Sequence, residues 1–236
     1  MKLDFSNDRI LAVVAHPDDA EYLCAGTLAR AKDEGAVVAI CVMCKGDKGQ
    51  PGRQIKNLAA VRRREMAAAA KLLGATLYWA GFSDAALDDD RPARLKLVEV
   101  YRRFRPTLIL AHSPDDYHPD HCAASAIAQA ASWLCASKGN KTRSPALAVS
   151  PAVWFMDTIN MNRFEPGFFI DIENYAEVKT RMLACHRSQM QRSSDKDLGC
   201  IEHGMHLQSQ TRGLQAGVEA AEAFCIYRAF KRIGAW

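Results

Sequence analysis

Short, unbroken apolar runs alternate with longer stretches in which apolar and charged positions are interleaved. The runs RILAVVA (residues 9–15), AVVAICVMC (36–44), ATLYWAG (75–81) and TLILAH (107–112) have the length of strands buried on both faces. The mixed stretches lie between them, at 24–35, 58–74 and 93–104. They read as helices: the second is full of Ala and Leu, and the first two close on Gly35 and Gly74, the residue type that ends helices. Strand and helix in alternation predict βαβ units, hence a parallel sheet with helices on both faces.

Beyond residue 150 the pattern loosens. PAVWFM (151–156) and FFIDI (168–172) are predicted strands. Residues 176–190 and 214–230 are predicted mainly helical, the second turning toward a strand near Phe224. No repeat, low-complexity tract or linker divides the chain. The expectation is one domain over residues 1–236, an α/β, Rossmann-like three-layer fold with a mainly parallel sheet.

Composition narrows the function classes. With 49% hydrophobic and 25% charged residues, the 236-residue chain has the profile of a soluble globular protein. A formal charge of +4 is too mild for a nucleic-acid surface. The densest basic run is Arg62, Arg63 and Arg64, and at least two of these suit the solvated face of a helix. The first ten residues lack a signal peptide's apolar core, and no apolar run approaches the ~20 residues that span a bilayer. The eight cysteines are scattered singly through apolar segments, which predicts reduced thiols and a cytoplasmic location. Cys41 and Cys44 form the one C-x-x-C, but strand positions three apart point to opposite faces, so core packing is expected of them. No G-x-G-x-x-G follows the first strand and no G-x-x-x-x-G-K-[ST] occurs, which removes the usual nucleotide phosphate cradles.

Candidate chemistry gathers at two places. Directly after the first strand stands VAHPDDAE, with His16, Asp18, Asp19 and Glu21. Directly after the fourth stands HSPDDYHPDHCAAS, so that four of the seven histidines lie in these two segments. Either motif alone could be a turn in which Asp caps a helix. Both, however, fall at the carboxyl edge of the sheet, where open α/β sheets bind ligands. Imidazole and carboxylate suit a zinc-type ion. His-x-x-Asp in a turn can place both side chains on one ion, and a histidine from the second loop completes a set of three. A catalytic site leaves one further position open for water.

AHPDDAE together with DYHPDH resembles the PIG-L/LmbE-like family of metal-dependent N-deacetylases. Weaker similarity extends to the helix of Arg62 and Glu65, to FSDAAL, ACHRSQ and GLQAGVEAAEAF. Members remove acetyl groups from N-acetylglucosaminyl-phosphatidylinositol, from precursors of mycothiol and bacillithiol, and from some antibiotic sugars. The resemblance implies that His16, Asp19 and His121 hold one Zn2+ per chain, other divalent ions being possible. It makes Asp18 the general base. His118 becomes the group that stabilises the oxyanion and protonates the leaving amine, with Asp120 its charge partner. Arg62, Asp84 and Tyr117 become substrate contacts. It also implies a small N-acetyl sugar substrate of GlcNAc type and a homo-oligomer, trimer or hexamer. In the commonest family motif glutamate follows the two aspartates directly; here Ala20 intervenes, which leaves Glu21 either an interior partner or a substrate contact.

For other polar residues the expectation is structural. His186 packs on a helix, His203 and His206 form a surface pair, His112 orders the second loop, and Glu65 pairs locally or holds a loop. Residues 45–52, with their glycines, are a loop able to close over a sugar. Two other functions remain open at this point: hydrolysis of another ester or phosphate with the same ion, and non-catalytic sugar binding on the same framework.

Overall fold

The computed structural model describes residues 3–52, 54–191 and 200–229. In chain order the elements are β1 (Arg9–Val14), α1 (Asp19–Leu23), α2 (Ala25–Asp33), β2 (Val37–Cys44), α3 (Leu58–Leu73), β3 (Thr76–Phe82), α4 (Arg91–Phe104), β4 (Leu108–Ala111) and α5 (Pro119–Leu134). They continue with β5 (Ala152–Met156), β6 (Phe168–Asp171), α6 (Ala176–Leu183), α7 (Arg187–Met190), α8 (Ile201–Ala216) and β7 (Ala221–Ile226). The strands form one seven-stranded sheet in the order β3-β2-β1-β4-β5-β7-β6. β1 pairs in parallel with both β2 and β4, β2 with β3, and β4 with β5. Only β7 runs the other way, antiparallel to β5 and to β6.

Alternation along β1 builds the two sides of the sheet. Ile10, Ala12 and Val14 enter one apolar cluster with Leu28 of α2, Met66 of α3, Met182 of α6 and Met205 of α8. Leu11 and Val13 enter the other with Leu97 and Tyr101 of α4 and Ile127 and Ala128 of α5. The strand is therefore apolar at every position because both faces are covered. From β1 the chain winds outward through β2 and β3, then returns to place β4 on β1's other side. The gap between β1 and β4 is the switch point where such sheets bind ligands.

The structure departs from expectation in the second half and in one strand. Residues 176–190 are mainly helical as expected, in two pieces. α6 ends at Leu183, and the chain then turns so that His186 can bury itself against Glu21, 3.2 Å away. Residues 214–230 are helical only to Ala216, because Gly217 takes a left-handed φ of 74° and closes α8. The backbone then doubles back, and β7 begins at Ala221. A Cβ on Gly213 would lie 2.7 Å from the carbonyl oxygen of Glu219, so that return needs the glycine. In β2 the register shifts between Val42 and Cys44, so Cys41 and Cys44 share one core instead of opposite faces.

Candidate active site

His16 leaves β1 at the switch point, and Pro17 and Asp18 turn the chain into α1. Asp18 has φ 100°, a conformation uncommon for a side chain other than glycine. The turn is held by Asp19, whose Oδ2 accepts the His16 amide at 2.7 Å. Across the gap, His118 caps α5 with Pro119 in the first turn, and its Nδ1 accepts the Asp120 amide at 3.2 Å. The capping reading and the functional reading of H-P-D-H thus hold together. The cap puts His121, one turn on, against the β1 loop.

The donor atoms converge. Asp19 Oδ2 lies 3.6 Å from His16 Nδ1 and 3.5 Å from His121 Nε2. One nitrogen from each of His16, His118 and His121 also falls within 4.8 Å of the others. Ligands at about 2.0–2.2 Å from a tetrahedral ion stand roughly 3.3–3.6 Å apart. The two spacings made by Asp19 Oδ2 fall in that range, and the donor triads that close within 4.8 Å among the described residues are His16–His118–His121, His16–Cys44–Asp120 and Asp19–His112–His121. His112 Nε2 also lies 3.2 Å from Asp19 Oδ2, but that nitrogen takes the Ala15 amide hydrogen at 3.0 Å and has no lone pair left for an ion. His112 instead stacks on His121, with ring centroids 4.0 Å apart.

The imidazoles of His16 and His121 each have a carboxylate behind them. His16 Nε2 bonds Asp120 Oδ2 at 2.9 Å, and His121 Nδ1 stands 3.1 Å from Asp116 Oδ2. Such carboxylates fix ring orientation and raise ligand basicity. Asp120 does more than expected: its carboxylate bonds His16 and the Ala85 amide, while its backbone amide bonds His118 and its charge raises that imidazole's pKa.

Burial and charge set the titrations. For His16, burial lowers the pKa, but hydrogen bonds donated to Asp120 and Asp19 outweigh it and push the pKa up to about 10. For His121, burial is likewise overcome by Asp19 and Asp116, to about 9. Protons at these two imidazoles occupy a negative well that a divalent cation fills better. Burial raises Asp18, opposed by the positive charge of Arg62. Burial, then the charges of His121 and His16, lower His118. Since its Nδ1 accepts from an amide, neutral His118 carries its hydrogen on Nε2.

These groups line a cavity of about 430 Å³, closed by Tyr22, Tyr117, Arg62, Ile159, Gln189 and the start of α8 at Ile201 and Gly204. Arg62 is 2% exposed, and its Nε and Nη2 have no hydrogen-bond partner among the described residues. Tyr117 is 60% exposed at the rim. Asp84 lines the same cavity, yet both its carboxylate oxygens are engaged, by the Gly46 amide at 2.7 Å and the Lys48 amide at 3.0 Å. It shapes the loop after β2. A larger open groove of about 650 Å³, beside α4 and residues 142–144, offers no histidine, and its Glu99 is already bonded to Ser144.

With this geometry in view, comparison with known proteins is decisive. Residues 11–132, more than half of the chain, match the family described as PIG-L, GlcNAc-PI de-N-acetylase. The chain belongs to the PIG-L family. Diacetylchitobiose deacetylase of Thermococcus kodakarensis is 31% identical over 80% of this chain and 75% of its own length. The 4-oxalmesaconate hydratase of Pseudomonas putida is 26% identical over 76% of this chain and 73% of its own. A conserved protein of Thermus thermophilus superposes with a TM-score of 0.82 at 29% identity, covering 97% of each chain.

Within this PIG-L chain, sequence reasoning brings together His16, Asp18, Asp19, Arg62, Asp84, Tyr117, His118, Asp120 and His121, all on the cavity. It misses Asp116 and Gln189. Asp116 stands five residues before His121 in an acidic pair, and nothing in the pattern separates it from Asp115. Gln189 is 171 residues from Asp18, to which it donates at 2.7 Å, and only the fold connects them. Of the histidines given structural expectations, His186 is fully buried against Glu21, and Glu21 is thus an interior partner. Glu65 holds α7, accepting from the Ser188 amide and hydroxyl. His206 pairs at 3.8 Å with Glu202 on the exposed face of α8.

Proposed function

We propose that this protein is a metal-dependent N-deacetylase that hydrolyses the acetamido group of an amino sugar of GlcNAc type, or its conjugate, to acetate and a free amine. The observation that carries the reading is the convergence of His16, Asp19 and His121 donors beside a buried carboxylate, Asp18, on a cavity at the switch point. Two imidazoles and one carboxylate suit zinc, one per chain, and accept other divalent ions. A bound ion polarises the acetyl carbonyl and lowers the pKa of water.

The residues divide the remaining work. Asp18, whose Oδ2 is held by Gln189, keeps its other oxygen for the proton of the attacking water. Burial raises its pKa, which suits it to carry that proton and return it to the departing nitrogen. His118 donates from Nε2 to the carbonyl oxygen as charge develops there. Burial and neighbouring His121 and His16 favour its neutral state, which suits this donor role and leaves the amine's proton, expected of His118 from the resemblance, to Asp18. Asp120 and Asp116 hold the ligand rings, and Arg62 and Tyr117 stand where the rest of the substrate must lie.

Arg62 supports a second reading. A buried guanidinium with free donors suits a carboxylate, and the Pseudomonas putida relative is a hydratase. The same base and ion could add water to an unsaturated acid. Phosphate hydrolysis by two ions is disfavoured: of the two candidate donor groups among the described residues that share no residue, one needs His112, whose Nε2 takes the Ala15 amide hydrogen, and the other needs Asp120, whose Oδ2 is engaged by His16 and the Ala85 amide. The deciding experiment is a panel of N-acetyl sugars, their disaccharides and unsaturated dicarboxylic acids, assayed with zinc present. Acetate release from a sugar supports the deacetylase. Hydration without acetate release overturns it.

A further inference from the structure

We infer that α7 is a clamp on the catalytic carboxylate, with Gln189 as the positioning residue that fixes the orientation of Asp18; this rests on the reading of Asp18 as general base. Nothing on Asp18's own element holds it. It stands at the head of a five-residue helix, with φ 100°, and its side chain makes no capping bond. The carboxylate is buried, and its side-chain hydrogen bond comes from Gln189 Nε2, at 2.7 Å to Oδ2. With one oxygen fixed from that side, the other is committed to the cavity. Without Gln189 the carboxylate can turn about its own side-chain bonds toward Arg62, the nearby cation that offers unpartnered donors.

α7 spans only Arg187–Met190, far too short to be stable by itself. Two tethers hold it. Ser188 donates its amide and hydroxyl to the two oxygens of Glu65, at 2.9 and 2.6 Å. His186 Nε2 and Glu21 Oε1, in residues with no solvent exposure, stand 3.2 Å apart. Glu65 lies three residues beyond Arg62 on α3, and Glu21 lies on α1 just after Asp19. The strap therefore fixes Gln189 to the two helices that carry Asp18, Asp19 and Arg62. Three polar residues at and just before this short helix thus find one use each: His186 and Ser188 set the strap, and Gln189 acts on the base.

The test is a double-mutant cycle on the metal-loaded enzyme. Gln189→Met keeps side-chain length without the donor, and should lower kcat about ten- to a hundredfold while KM stays within about twofold. Metal content and Tm should match the parent. In an Asp18→Asn background the same change should alter kcat by less than about twofold, because the group it positions is gone. If Gln189→Met does not fold, Gln189→Asn, too short to reach Oδ2, takes its place with the same expectation. Unchanged kcat, or an equal loss in both backgrounds, overturns the clamp. Full turnover in Asp18→Asn alone is a separate result, and removes the base assignment on which the clamp rests.

Discussion

Around Glu222 every buried charge is answered, whereas around Asp18 and Arg62 several are not. Glu222 of β7 takes Lys179 Nζ at 2.6 Å and the Gly26 amide at 3.0 Å on one oxygen, and the Thr27 amide at 2.7 Å on the other. Both side chains of the ion pair are 2% exposed. In the cavity, Arg62 Nε and Nη2 and Gln189 Oε1 have no partner among the described residues, and two imidazoles face a carboxylate at the spacing of metal ligands. Leaving buried polar groups unanswered costs stability, so a fold keeps them only where something else answers. The completed network around Glu222 holds the structure, and the open donors of Arg62 face the cavity where a substrate would lie.

That contrast can be broken in several ways. The largest effect is expected at Asp18→Asn, where turnover should fall by a factor of ~10²–10⁴ as the base is lost. Bound metal and Tm should be retained; a near-normal rate would remove Asp18 from the chemistry. At the other cluster, Lys179→Met strands Glu222 inside, and urea unfolding should show a loss of about 3–5 kcal/mol. Its metal content per folded chain should be unchanged, and loss of metal there would mean that the two networks are coupled. Asp120→Asn removes the carboxylate behind His16 and should weaken metal affinity about 10- to 100-fold in a chelator competition. Unaltered affinity would return Asp120 to the role of partner to His118. Smallest is Asp90→Ala: Asp90 Oδ1 caps α4 by accepting the Ala93 amide at 2.8 Å, so stability should drop by ~1 kcal/mol with kcat untouched. A loss of activity there would contradict the confinement of the chemistry to the switch point.

The site was far more legible than its supports. HPDD and HPDH could be placed from sequence because each follows an apolar run, and the end of a parallel strand is where ligands bind. Apolar runs also betrayed β1, β2, β3 and β4, since strands buried on both faces leave no polar position to blur them. β7 was harder to see: its Glu222 interrupts AEAFCI, and the compensating Lys179 and α2 amides are visible only in three dimensions. The same holds for Gln189 and Asp116, ordinary polar residues locally, whose meaning depends on partners brought by the fold. Asp84 is the converse case, a residue placed on the cavity by resemblance whose bonds to the Gly46 and Lys48 amides only the fold displays.

One ion, held by His16, Asp19 and His121 beside Asp18, is the centre of the proposed chemistry. Its most direct test is metal stoichiometry and acetate release, measured together on purified protein before stripping, after chelation and after zinc is restored, in the parent chain and in His121→Ala. The expected result is about one ion per chain in the parent. Acetate release from an N-acetyl amino sugar should be lost on chelation and regained with zinc, and the folded His121→Ala variant should show neither stoichiometric metal nor turnover. Full metal content in His121→Ala, or acetate release indifferent to chelation, would contradict it.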